Sequence, residues 1–115
     1  MWRVRDRASF AALRPAPRVR RGLLTVAWLA APGSGPPRVA FGITRKVGTA
    51  TVRNRLRRRI RELARSSRLP AGVWFITAGP GAGEVPFDVL ATWWSEAVAA
   101  LIGDRGARDL PAVGA

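Results

Sequence analysis

Residues 38–62 read RVAFGITRKVGTATVRNRLRRRIRE, and within this stretch the pattern changes from strand to helix. Arg38 to Thr44 has the apolar, β-branched character of a strand. From about Thr49 to Ser67 the period becomes helical: Val52, Leu56, Ile60 and Leu63 fall on one apolar stripe. Arg53, Arg57, Arg61 and Arg65 form a second stripe beside it, with Asn54 and Arg58 flanking. Four like-charge pairs stand one turn apart, Arg53/Arg57, Arg55/Arg59, Arg57/Arg61 and Arg61/Arg65. Each costs roughly 0.2–0.5 kcal/mol in an isolated helix, so together roughly 1–2 kcal/mol. Only Glu62 offsets them locally, whereas a merely solvated face interleaves acids with bases. Repulsion of this kind is tolerable when phosphates neutralise it.

Outward from this segment the elements are short. Leu23–Leu29 reads as a largely buried strand, and 31–37 (APGSGPP) as a loop. The simplest pairing joins 23–29 and 38–44 in an antiparallel hairpin with a long turn. Asp6 to Arg14 reads as a first helix capped by Asp6, with Phe10 and Leu13 on one face and Pro15 and Pro17 as its stop. Downstream, 69–72 (LPAG) ends the arginine helix and Val73–Thr77 is a short buried strand, able to lie parallel to 38–44. Gly79–Gly83 is a loop, lacking the Gly-Lys-Ser/Thr of a phosphate-binding turn. Pro86 suits the first turn of a last helix. Phe87, Leu90, Ala91, Trp94, Val98 and Leu101 give that helix a core face, and Gly103 closes it. The reading is one α+β domain over 1–103, a small mixed sheet packed with three helices, followed by a disordered tail at 104–115.

Composition narrows the chemistry. The chain has 115 residues, 48% apolar, with no cysteine, no histidine and a net charge of +13. Disulfides, thiol nucleophiles, thiolate metal sites, Ser-His-Asp triads and HExxH sites are all excluded. The charge is segregated: +7 over 1–44, +9 over 45–68 and −3 over 69–115. A polyanionic partner therefore faces the first 68 residues, and an arginine-dominated surface suits bidentate phosphate contacts. The longest apolar run, Leu23–Ala31, is about half the roughly 20 residues of a spanning helix, so no membrane association and a cytoplasmic location are expected. DNA would want a helix-turn-helix pair or a dimer seam, and neither is visible. A sheet with Phe10 near the basic surface fits unpaired RNA better. Trp74, Trp93 and Trp94 lie in the acidic third and read as core. Glu84 and Asp88 are a weak metal pair, better read as complementing a helix dipole, so no metal site is expected.

The 38–62 segment closely resembles the signature of the bacterial ribonuclease P protein subunit, a strand ending in Ser-Lys-Lys-Val-Gly followed by Ala-x-x-Arg-Asn-Arg on a helix. The resemblance spans about residues 5–102. It implies a fold like the second domain of a small-subunit ribosomal protein, with a left-handed strand–helix–strand crossover. It also implies an endoribonuclease in which a catalytic RNA, holding Mg²⁺, removes the 5′ leader of precursor tRNA while the protein aids RNA folding and grips the leader. By position, Arg53, Asn54 and Arg55 match the Arg-Asn-Arg motif against the catalytic RNA. Arg57, Arg58 and Arg61 extend that face, and Arg45 and Lys46 precede it. Phe10, Thr25 and Ala27 fall in the leader cleft; Ala27 stands where the family usually has Tyr, and Arg14 where it has an apolar or aromatic residue. The resemblance thus makes the RNA and precursor tRNA the partners. A ribosomal or RNA-chaperone protein of the same fold is the first alternative. A protein nuclease using Glu84 and Asp88 is the second.

Overall fold

The computed structural model describes the backbone of residues 2–3, 16–30 and 35–113, and the side chains of 16–30 and 35–103. Its strands are β1 (Trp2–Arg3), β2 (Arg18–Arg21), β3 (Leu24–Ala30), β4 (Arg38–Gly42) and β5 (Gly72–Ala78), in one sheet of order β1-β4-β5-β3-β2. Two α-helices, α1 (Ala50–Ser66) and α2 (Phe87–Val113), and two 3-10 turns, Arg45–Val47 and Ala82–Glu84, complete the described elements. The first helix read at 6–14, with Phe10, lies outside the described residues.

The α+β class holds, and β4 and β5 do lie parallel on either side of α1 in sequence. The hairpin expected between 23–29 and 38–44 does not form. Strand β5 sits between them, antiparallel to β3 and parallel to β4. Its Trp74 and Ile76 are fully buried, so the centre of the sheet, with a neighbour on both sides, satisfies more of its apolar surface than an edge would. The hairpin partner of β3 is instead β2, across Gly22 and Leu23. The β2 sequence, RVRR, reads as a charge run, yet Arg18 and Arg20 are exposed while Val19 and Arg21 are half-buried, the period of a strand with one wet face.

Both helices cover one face of the sheet. Leu24, Val26 and Trp28 of β3, Val39 of β4, and Trp74 and Ile76 of β5 form a single core with Leu56, Ile60, Leu90, Trp94 and Leu101. Trp28 and Trp74 are register partners and stack at 4.9 Å with their rings 10° apart. Three buried indole N–H groups all donate into the connection between α1 and β5: Trp28 to the Ala71 carbonyl (3.2 Å), Trp74 to the Pro70 carbonyl (3.0 Å) and Trp94 to the Ser67 hydroxyl (2.9 Å). At the end of this connection Gly72 has φ 129°, and a Cβ there would stand 2.3 Å from the Leu29 carbonyl oxygen. Only glycine fits that close approach of β5 to β3.

Two further expectations change. On α2, Leu90, Trp94, Val98 and Leu101 are buried as read and Trp93 packs half-buried, but Phe87 is 44% exposed at the first residue of the helix, ahead of the packed stretch. Gly103 does not end α2, whose helix runs Phe87–Val113. Gly103 is absent from the positive-φ glycines, so it makes no left-handed cap. Inside a helix already nucleated, its cost is about 1 kcal/mol.

Candidate nucleic-acid interface

Helix α1 begins where Thr49 caps it, the threonine Oγ accepting the Val52 N–H at 3.3 Å. No acid occupies its first turn, and Arg45 and Lys46, both exposed, sit on the 3-10 turn just before it. The positive end of the helix dipole and these two cations together favour an anion there.

The arginines of α1 divide into three sets. Residues four apart advance about 40° around a helix, so the Arg53–Arg57–Arg61–Arg65 row slants rather than running straight. At one end Arg53 is half-buried, with its Nε buried and no hydrogen-bond partner for it among the described residues. At the other end Arg65 is open to solvent and pairs with Glu62 at 3.8 Å, an exposed contact worth little. Between them Arg57 is held in place: it donates to the Asn54 Oδ1 at 3.0 Å and to the Ile43 carbonyl at 3.4 Å. Arg61 lies over the Phe41 ring, its guanidinium carbon 5.2 Å from the centroid. Arg58 is exposed beside them. Asn54, Arg57, Arg58 and Arg61, with Arg45 and Lys46, therefore form one basic surface at the junction of β4, the 3-10 turn and α1. The bond from Asn54 to Arg57 orients a guanidinium for planar recognition of phosphate.

Arg55 and Arg59 belong to the opposite flank. Arg55 donates to the Gly83 carbonyl and Arg59 to the Val85 carbonyl, each at 2.9 Å. They clamp the loop before α2 onto α1, where Gly83 packs so tightly that a Cβ would stand 2.4 Å from Val52 Cγ1. The motif's Arg55 is thus engaged in the protein's own architecture. Its spacing from Arg59 looked like one more repulsive pair; two carbonyl acceptors relieve it. The apolar stripe also shifts: Leu56, Ile60 and Ala64 are buried, while Val52 and Leu63 are half-buried. Phe41 as a support for Arg61 was not legible beforehand, since nothing in a strand read as core marks which ring meets a cation.

Truncating the clamp gives a direct check. Arg55→Ala and Arg59→Ala should each lower stability by about 1–2 kcal/mol, since each leaves a part-buried carbonyl without its charged donor. Urea denaturation measures this, and neither change should alter the salt dependence of RNA binding.

Thr25 and Ala27 are not brought to this surface. They alternate with the core residues of β3 and so face the other side of the sheet. Phe10 lies outside the described residues. Glu84 and Asp88 are both exposed, and among the described residues no group of three or more His, Cys, Asp or Glu gathers to hold a metal ion. No helix among them is long and apolar enough to cross a membrane.

The model of the Ribonuclease P family matches residues 1–101. The ribonuclease P protein component of Thermobifida fusca is 37% identical over 115 aligned positions, covering 90% of this chain and 78% of that one. The protein component of Thermus aquaticus is 40% identical over 82 positions, covering 71% of this chain, which spans only 48% of that longer relative. Among solved structures, the RNase P protein of Staphylococcus aureus superposes with a TM-score of 0.75 at 18% identity, covering 87% of this chain and 94% of that one; it supports the fold. The chain belongs to the ribonuclease P protein family.

Proposed function

From that membership we propose that the chain is the protein subunit of ribonuclease P, binding the catalytic RNA of the enzyme and the 5′ leader of precursor tRNA, and working in the cytoplasm. The observation that carries the RNA-binding part is the arrangement of Asn54, Arg57 and Arg61, oriented by Ile43 and Phe41 on a surface whose helix bears a single acid. Scissile-bond chemistry belongs to the RNA: Mg²⁺ held mainly by the RNA supplies the hydrolytic step, and this chain's residues screen phosphate charge and fix the relative position of the two RNAs. A chain without histidine or cysteine suits that division. On this reading the β4–α1–β5 unit is the left-handed crossover of the family, in the manner of the second domain of a small-subunit ribosomal protein. The family match runs against a ribosomal or chaperone role, which shares only fold class and charge.

Reconstitution tests the proposal. The full chain, mixed with the ribonuclease P RNA of its own organism at low Mg²⁺, should restore cleavage of a precursor tRNA that the RNA alone performs poorly. The chain alone should cleave nothing. Leader removal by the isolated protein, or no stimulation of the RNA, would refute it.

A further inference from the structure

Among the cations of the α1 surface stands an uncharged amide. Asn54 is exposed, and Arg58 and Arg61 follow it one and two turns on along the same side of the helix. Its oxygen is taken, since Arg57 Nη1 donates to Asn54 Oδ1 at 3.0 Å. That bond settles which way the amide points. A guanidinium has donors only, so the atom facing Arg57 must be the oxygen, and the Nδ2 hydrogens are directed away from it. No described residue accepts from Nδ2.

A nucleic acid lying on this surface offers charged acceptors, its phosphate oxygens, and uncharged ones on sugar and base. Guanidinium groups take the phosphates, because a charge-assisted hydrogen bond is roughly twice as strong as an uncharged one. Arg58 is open to solvent beside Asn54, and Arg57 is oriented by it. The uncharged donors between them are left for an uncharged acceptor of the backbone. In RNA that acceptor is the ribose 2′-hydroxyl, which neighbours every phosphate along the strand and is missing from DNA. Base edges are a poorer match, since an A-form duplex closes its major groove to side chains and displays its hydroxyls on the shallow side.

We propose that Asn54 is a specificity-determining residue: its Nδ2 donates to a ribose 2′-hydroxyl of the RNA whose phosphates meet Arg57 and Arg58, so that α1 tells RNA from DNA. The proposal rests on the reading above for which RNA that is. It gives the amide two tasks, one at each end: the oxygen holds Arg57 in place and the nitrogen reads the sugar.

The test uses the full chain with a fluorescent RNA hairpin and the same hairpin carrying 2′-fluoro groups, which keep the A-form and the charge but offer no hydroxyl. The unsubstituted chain should prefer the hydroxyl hairpin about 2- to 12-fold, the worth of one uncharged hydrogen bond. Asn54→Ala and Asn54→Asp should each lose that preference. Asn54→Asp is the sharper of the two: it keeps an acceptor for Arg57 and loses the donors, and its added charge weakens both hairpins alike. Arg58→Ala, which removes a cation and no amide, should weaken both alike and keep the preference. The proposal is overturned by no preference in the unsubstituted chain, by a preference that survives in both Asn54 variants, or by one lost equally in Arg58→Ala. A preference that depends on Asn54, in a chain that gives no stimulation of the ribonuclease P RNA, would sink the functional reading and leave the ribose contact standing. Stimulation without the preference would do the reverse.

Discussion

Replacing Arg57, Arg58 and Arg61 together by alanine is expected to weaken assembly with the ribonuclease P RNA by about 10³-fold at moderate salt. The magnitude follows from three charged hydrogen bonds to phosphate at about 1.5 kcal/mol each, the lower end of their range. The slope of log affinity against log salt should flatten by about 0.7–0.9 for each lost contact, so by roughly 2–3 for the triple variant. Arg57 and Arg61 are chosen because the fold has already oriented them, through Asn54, Ile43 and Phe41. Arg58 adds a guanidinium in solvent beside them. A control triple at Arg55, Arg59 and Arg65 removes the same charge from the opposite flank and the helix end. If both triples flatten the slope equally, α1 acts as a diffuse cation and the oriented surface has no role. Binding is to be measured by filter retention across a salt series, with circular dichroism confirming that each variant is folded.

That contrast also marks what could be read from residues alone. The helical period of 49–67 and the buried strands come from apolar spacing, a local signal; the parallel relation of β4 to β5 comes from the helix that joins them, and the core position of Trp74 and Trp94 from their place in the acidic third. Strand order is different, because it depends on which strand gains most from two neighbours, and β3 and β4 look alike until β5 is weighed against both. The arginines show the same limit. A row at i, i+4 looks uniform on paper, yet its drift of about 40° per step leaves Arg53 half-buried and Arg65 exposed. Whether Arg55 meets a phosphate or a carbonyl depends on the loop at Gly83, 28 residues downstream, and no period reports on that. The family resemblance supplied the motif, but the hydrogen bonds assign its members unequal tasks.

The largest effect on stability should come from Trp74→Ala, at about 3–5 kcal/mol, a large part of the roughly 5–15 kcal/mol available to a domain of this size. Trp74 is 0% exposed, stacks on Trp28 and donates to the Pro70 carbonyl, so truncation removes ring packing, an aromatic pair and a buried acceptor's partner at once. Trp74→Phe separates these contributions in part: it keeps a six-membered ring against Trp28 but loses the N–H and part of the ring volume, for about 2–3 kcal/mol. A double-mutant cycle with Trp28→Ala should then return a coupling of about 0.5–1.5 kcal/mol, the share due to stacking itself. Urea denaturation followed by far-UV circular dichroism measures all four forms. Trp93, half-buried at the periphery of the same core, serves as the comparison, because Trp93→Ala removes a ring of equal size from a wetter place. Equal losses at 74 and 93 would mean that the stacked pair is not the centre of the core. The consequence for function is indirect but measurable. The connection at 67–71, which receives all three buried indole N–H groups, joins the end of α1 to β5. Loosening it should shift α1 relative to the sheet, so Trp74→Phe, still folded, should raise the protein concentration needed for half-maximal cleavage while leaving the salt slope of α1 binding as it was.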